Sequence, residues 1–300
     1  MNHPFNRYTA AGNTFVVMNT WEKPLSLSRE AMTTLVQTAC DFTTGVGSDG
    51  LILINHSGMT GAEFRMDFYN PDGSTGMLCG NGARCAVQAA RDYGYAKADR
   101  TEFEVLGAVN HADLLATGSI RVYFHDPTVI RPSVELQLDN PKPISTGYVD
   151  LGSQHVVVFM DELKKLGETD IETFDIAHYG PLLRWHSAFA PVGVNANFVD
   201  VGEDCGVKYL RIRTYERGVE GETLACGTGC MSSAIIAKLT GKISATSIRL
   251  LTQSGEFVTV EFALDGERVT RLSLEGPVVR GETGMLLFDE NHGDLKVIYD

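Results

Sequence analysis

The pattern Cys-Gly-polar-Gly occurs twice in this sequence, as Cys79-Gly80-Asn81-Gly82 and as Cys226-Gly227-Thr228-Gly229, 147 residues apart. Each copy opens a run of small and apolar residues, "ARCAVQAARDYG" and "CMSSAIIAKLTG", that reads as a helix closed by glycine. The first turn of a helix carries N–H groups without intrahelical partners and the positive end of the macrodipole. Glycine beside each cysteine lets a carboxylate lie directly against those donors. The same field favours a thiolate, so both cysteines are expected to have a lowered pKa. An amino acid whose carboxylate is held by both helix starts has its α-carbon between two sulfurs. One thiolate then removes the α-proton, the opposite thiol protonates the other face, and the configuration inverts. The helix N–H donors stabilise the charge that develops on the carboxylate as the carbanion forms.

The elements that must position these groups repeat along the chain. "RMDFYNPDGSTGMLCGNGARCAVQAARDYG" has its counterpart in "RIRTYERGVEGETLACGTGCMSSAIIAKLTG". At the same offset "GSDGLILI" matches "VNANFVDV", and upstream "GNTFVVM" matches "GSQHVVV". The order of the matched segments is the same in both halves. Short β-branched or alternating runs such as "FVVMNT", "LILIN", "HVVVFM" and "YLRIRTY" read as strands. The expected fold class is α+β: two pseudosymmetric domains, each a curled, mostly antiparallel sheet around a central helix. Pro127 and Pro132 interrupt the pattern, so the expected domains are residues 1–126 and 127–284, with a strand at about 285–300 returning to the first. Two such halves packed face to face bring Cys79 and Cys226 together across a cleft, the usual place for a small ligand.

Composition narrows the function. A net charge of −13 with no Lys/Arg stripe disfavours nucleic acid. No window approaches the apolar length of a membrane span, and the N-terminus lacks the pattern of a secretory signal, so a cytoplasmic protein with no membrane partner is expected. Six cysteines without a Cys-x-x-Cys fit neither a disulfide scaffold nor zinc. No metal is expected, and no cofactor: the chain has no evident pyridoxal-phosphate lysine and no dinucleotide-binding glycine motif. The expected partner is a small-molecule substrate, with a homodimer as the candidate assembly.

Together "GNTF" at 12–15, "GSDG" at 47–50, "YNPDGS" at 69–74, "CGNGARC" at 79–85, "GVNANF" at 193–198, "YERG" at 215–218 and "ETLACGTG" at 222–229 resemble the diaminopimelate epimerase family. That family interconverts LL- and meso-diaminopimelate, in lysine and cell-wall precursor synthesis, with two cysteines and no cofactor. The resemblance implies that Cys79 and Cys226 are the acid–base pair and that Gly80, Asn81, Gly227 and Thr228 hold the reacting carboxylate. Asn13, Asn70, Asn195 and Arg217 would contact the substrate, Arg217 through the carboxylate of the distal stereocentre. His155 and Glu216 would line the site beside the reacting amino group and help set the cysteines' ionisation. Three features depart from the family pattern: Thr14 stands where Asp is common, Ser153-Gln154 replaces Asn-Pro before His155, and "RGVEGET" carries an added residue. They leave the chemistry intact and bear on the substrate; Ser153 keeps hydrogen-bonding capacity with a shorter reach.

Blander readings compete. Cys40 and Cys205 read as buried small hydrophobes, and Cys85 and Cys230 as packing residues inside their helices. His155 could be a satisfied strand histidine, and Asp72 and Glu222 could serve turns or helix starts. Two other functions remain open: a racemase or epimerase of a different amino acid using the same thiols, and a thiol-redox protein in which Cys79 and Cys226 form a reversible disulfide.

Overall fold

The computed structural model describes residues 2–75, 79–139, 142–266, 268–290 and 292–300. The chain divides into two compact units, residues 1–123 with 276–300 and residues 124–275.

The first unit begins with β1 (Asn2–Ala10), β2 (Asn13–Asn19), α1 (Arg29–Cys40), β3 (Leu51–Asn55), β4 (Phe64–Tyr69), α2 (Gly80–Asp92), β5 (Arg100–Val105), β6 (Ala108–Leu114) and β7 (Ile120–Tyr123). Apolar alternation explains these strands: in β5, Thr101, Phe103 and Val105 are buried while Arg100 and Glu102 face water. Ser28 caps α1, its hydroxyl accepting from the Ala31 N–H at 3.1 Å. The second unit contains β8 (Val129–Leu136), β9 (Ile144–Asp150), β10 (Gln154–Phe159), α3 (Met160–Leu163), α4 (Ile176–Arg184), β11 (Asn195–Asp204), β12 (Val207–Glu216), β13 (Gly221–Thr223), α5 (Gly227–Leu239), β14 (Ser247–Leu251), β15 (Phe257–Asp265) and β16 (Arg268–Gly276). Two last strands, β17 (Val279–Phe288) and β18 (Leu295–Tyr299), belong to the first unit.

Strand pairing makes the internal repeat explicit. In the first unit the order is β17-β1-β2-β3-β4-β5-β6-β7, with successive pairs antiparallel, antiparallel, parallel, antiparallel, parallel, antiparallel and antiparallel. In the second it is β8-β9-β10-β11-β12-β14-β15-β16, with the same succession of directions. Each parallel pair requires a crossover, and helices supply it: α1 and α2 in the first unit, α3 with α4 and then α5 in the second. The one difference of connectivity is the first strand. β8 leads directly into the second unit, whereas β17 reaches the equivalent place beside β1 from the far end of the chain, with Pro4 opposite Met285. β18 adds a further strand outside β17.

Each unit buries its second crossover helix against the inner face of its own sheet. α2 contacts β1, β2, β3, β4 and β7, and α5 contacts β9, β10, β11, β12, β14 and β15. Alanines at 83, 86, 89 and 90 let α2 fit inside the curl. α5 is buried from Gly229 through Ala237, as an almost wholly apolar helix must be. A side chain at Gly147 of β9 would collide with Ile236, so glycine there allows the helix and sheet to approach. The outer faces carry separate cores, under α1 in the first unit and under α3 and α4 in the second. Among the described residues no helix is long and apolar enough to cross a membrane.

Candidate active site

Cys79 and Cys226 occupy the same place in the repeat, each the N-cap of its unit's buried helix. Their surroundings differ. Cys79 is half-buried, and its Sγ accepts from the Gly82 N–H at 3.4 Å. Cys226 is only 8% exposed, and its Sγ lies 3.5 Å from the Thr228 hydroxyl. Burial pushes the Cys226 thiol well above its ordinary value, and the nearby Glu216 carboxylate pushes the same way. The Thr228 hydroxyl and the Gly229 N–H pull down and are outweighed. The lowered pKa expected at a helix start is therefore reversed at Cys226, because desolvation exceeds the stabilisation offered by the first turn.

In the first unit, two of the expected site residues meet. The Asn81 amide donates to Asn13 Oδ1 at 2.6 Å, and Asn81 Oδ1 accepts from Arg84 at 2.9 Å. Arg84, wholly buried inside α2, thus fixes which end of the Asn81 amide faces Asn13. The loop bearing Asn13 is fastened by Asp49, whose carboxylate accepts from the Thr14 N–H at 2.8 Å and its hydroxyl at 3.3 Å. Parallel pairing of β2 with β3 starts both strands at one end, which brings Asp49 of "GSDG" beside Thr14 of "GNTF". Gly80, the first residue of α2, is buried between Cys79 and Asn81. Asn70 closes the turn after β4, its N–H donating to the Ser74 carbonyl at 2.8 Å and its amide to the Ser74 hydroxyl at 3.0 Å. Asp72 serves that same turn, accepting from the Ser74 N–H at 2.8 Å. Residues 76–78, of which Leu78 opens the motif "LCGNGARC", lie outside the described residues.

The second unit assembles the remaining ones. β10 and β11 run parallel with His155 opposite Asn195, and strand alternation puts Asn197 on the same face. His155 is fully buried. The Asn197 amide nitrogen lies 3.2 Å from its Nδ1, and Nε2 lies 2.9 Å from the Ser153 hydroxyl and 3.5 Å from the Asn195 amide nitrogen. Burial first, and the Arg217 charge second, lower the His155 pKa to about 3, so the ring is neutral at physiological pH. Asn197 also donates to the Val156 carbonyl at 2.9 Å and accepts from the Thr214 hydroxyl at 3.0 Å. A side chain at Gly229 would strike Asn197 Oδ1, so glycine in "CGTG" is needed for packing as well as for ligand access.

Glu216 ends β12 and accepts from the Thr223 hydroxyl at 2.9 Å. Arg217 follows on the turn between β12 and β13; its N–H donates to Asn195 Oδ1 at 2.8 Å and its guanidinium to Gln154 Oε1 at 2.8 Å. Glu222 is taken up by Arg213, at 2.6 and 2.8 Å, and holds no helix start. Gly227 and Thr228, half-buried, form the first turn of α5 behind Cys226. Cys85 and Cys230 are buried inside their helices, and Cys40 is buried under α1. Cys205 is not a buried hydrophobe: it is exposed, in a left-handed turn position between β11 and β12. Asp49, Arg84, Asn197 and Gln154 were not singled out as site residues from sequence. Their signals were an arginine among the alanines of a helix and two asparagines spaced by two in a strand. Among the described residues no group of three or more His, Cys, Asp or Glu is placed to hold a metal ion.

Sheet order and buried helices define the class. Solved structures with this fold include a PhzF-family phenazine biosynthesis protein of Bacillus anthracis, with TM-score 0.68 and 17% identity, covering 96% of this chain and all of that one. A hydroxyproline epimerase from Agrobacterium vitis matches with TM-score 0.68 and 13% identity over 95% of this chain and 92% of its own. The chain belongs to the diaminopimelate epimerase family, whose model matches residues 5–129 and 147–280. It is 36% identical over 272 residues to the diaminopimelate epimerase of Aquifex aeolicus, covering 88% of this chain and 92% of the relative. It is 32% identical over 287 residues to that of a Hydrogenobaculum species, covering 94% and 98%.

Proposed function

We propose that this protein interconverts LL- and meso-diaminopimelate by proton transfer at the α-carbon between Cys79 and Cys226, without a cofactor. The observation that carries the reading is the equivalence of the two cysteines: the same cap position, on the same buried helix, in two copies of one fold, in a member of this family. Cys226, held protonated by burial and Glu216, is the resting proton donor, and the more accessible Cys79 is the base. In one turnover the Cys79 thiolate takes the α-proton and becomes a thiol. The Cys226 thiol gives its proton to the opposite face and becomes a thiolate. The starting state returns by exchange with water or by the reverse reaction. Gly80, Asn81, Gly227 and Thr228 supply helix-start donors to the reacting carboxylate, where charge grows as the carbanion forms. Asn13, Asn70 and Asn195 contact the substrate, Ser153 acts through His155, and Arg217 takes the distal carboxylate. His155, a neutral ring, organises polar groups and carries no charge into the reaction. The partner is a free small molecule, and a cytoplasmic homodimer is the assembly we expect.

The test is exchange of the α-proton in deuterated water, followed by NMR across a panel of amino acids. Diaminopimelate is expected to exchange fastest; clear preference for another amino acid would overturn the substrate and spare the mechanism. A second expectation concerns pH. Loss of the Cys226 proton ends turnover from the resting state, and the Glu216 charge opposes that loss. Glu216→Gln should therefore move the alkaline limb of the rate profile to lower pH. An unmoved limb would remove Glu216 from control of the donor.

A further inference from the structure

Three arginines of the second unit are held in different ways. Arg213 makes two bonds to the carboxylate of Glu222. Arg184 makes two to one oxygen of Glu220, at 3.2 and 3.0 Å. Arg217 has no carboxylate within ion-pair distance among the described residues, and its guanidinium is held by the neutral amide oxygen of Gln154. A half-buried guanidinium that bonds no carboxylate among the described residues is a receptor for an anion. Gln154 is itself oriented: its Nε2 donates to Asp150 Oδ2 at 3.2 Å, which turns Oε1 towards Arg217. The neighbouring Ser153 is engaged with His155 and only 9% exposed, so the amide function of this turn rests on Gln154.

We infer that Gln154 tunes specificity at this end of the site: its amide holds the Arg217 fork in the unliganded protein and must be displaced by the second carboxylate of a substrate, so it moderates the preference for a dicarboxylic amino acid. This rests on the reading given under Proposed function and extends it to one residue that departs from the family pattern. The physical basis is an exchange of partners. A carboxylate bonds to guanidinium more strongly than an amide does, so diaminopimelate displaces Gln154. An amino acid that lacks the distal carboxylate leaves the Arg217–Gln154 bond intact and gains nothing from the fork.

L-lysine supplies the comparison, because it is diaminopimelate without the distal carboxylate. The experiment measures KM and kcat for α-proton exchange of diaminopimelate and of L-lysine by the wild type, Gln154→Ala and Gln154→Glu. Glutamate at 154 is nearly isosteric, neutralises Arg217 permanently and is pressed towards it by Asp150. In Q154E the preference for diaminopimelate over lysine, as a ratio of kcat/KM, should fall tenfold or more, through KM for diaminopimelate. In Q154A, where no side chain competes for the fork, that KM should fall by a fewfold. A purely structural role for Gln154 would change both variants in the same direction and leave the ratio alone, and either result overturns the inference. If the wild type exchanges neither compound, the diaminopimelate reading fails and takes the Gln154 role with it. If the wild type exchanges diaminopimelate and Q154E keeps the wild-type ratio, only the Gln154 role fails.

Discussion

Cys226→Ala is expected to lose interconversion of the two stereoisomers by about 10³-fold, a loss within the range for removing a positioned general acid. It should nonetheless still exchange the α-proton of one stereoisomer with solvent. The reason is that inversion needs both sulfurs and exchange needs one. With the donor gone, Cys79 can still take a proton from the face it serves and return one that has exchanged with water. Cys79→Ala leaves only Cys226, which burial and Glu216 hold protonated, so its exchange of the other stereoisomer should be slower and should rise with pH. Incubating each variant with each isomer in deuterated water, with NMR for exchange and chiral separation for inversion, gives four combinations. Two should exchange without inverting and two should be silent. Inversion persisting within tenfold of wild type in either variant would remove that sulfur from the reaction. A redox role for the pair predicts instead that strong reductant alters the wild-type rate, which proton transfer between thiols does not require.

The second large effect is on stability in acid. His155 has a pKa of about 3 in the folded protein. In an unfolded chain an ordinary histidine titrates near 6.5. Its folded pKa is thus depressed, so its contribution to stability is complete above pH 6.5. Below that, the unfolded chain takes up a proton that the folded protein refuses, and stability falls by about 1.4 kcal/mol for each pH unit until the ring protonates in the fold as well. By pH 3.5 the loss from this one residue is about 4 kcal/mol, a large part of a typical folding free energy. Urea unfolding at several pH values between 7 and 4 measures the slope, and His155→Gln, which keeps polar atoms for Ser153 and Asn197, should flatten it. Equal slopes in both proteins would mean that the ring titrates in the fold as it does in the unfolded chain, against its burial.

Much of this site could be read from the chain because it is local. Cys-Gly-x-Gly followed by "ARCAVQAARDYG" contains a cap, a helix and its stop within a few residues, and those are short-range preferences. The strands "LILIN" and "HVVVF" were legible for the same reason. The order in which strands pair, and which pairs run parallel, depends on crossovers such as that from β12 through α5 to β14, and no single stretch records it. The ionisation of Cys226 was read in the wrong direction because its helix start was visible in sequence and its burial was not. Ser153 stands just before β10, and nothing local in the sequence shows that its hydroxyl lies 2.9 Å from His155 Nε2. Cys205 was misjudged because nothing in "EDCGVK" distinguishes a packed thiol from one at a hairpin tip, where the adjoining Gly206 is the only hint of the turn.

The placing of β17 beside β1 has a consequence for the order in which the molecule is made. A nascent chain leaves the ribosome N-terminus first, and domains fold as units during that passage. The second half can close its sheet once β16 has emerged, since all its strands are contiguous in the chain. The earlier-born half must wait with the β1 edge unmatched until the last strands are translated, so the part synthesised first is the part finished last.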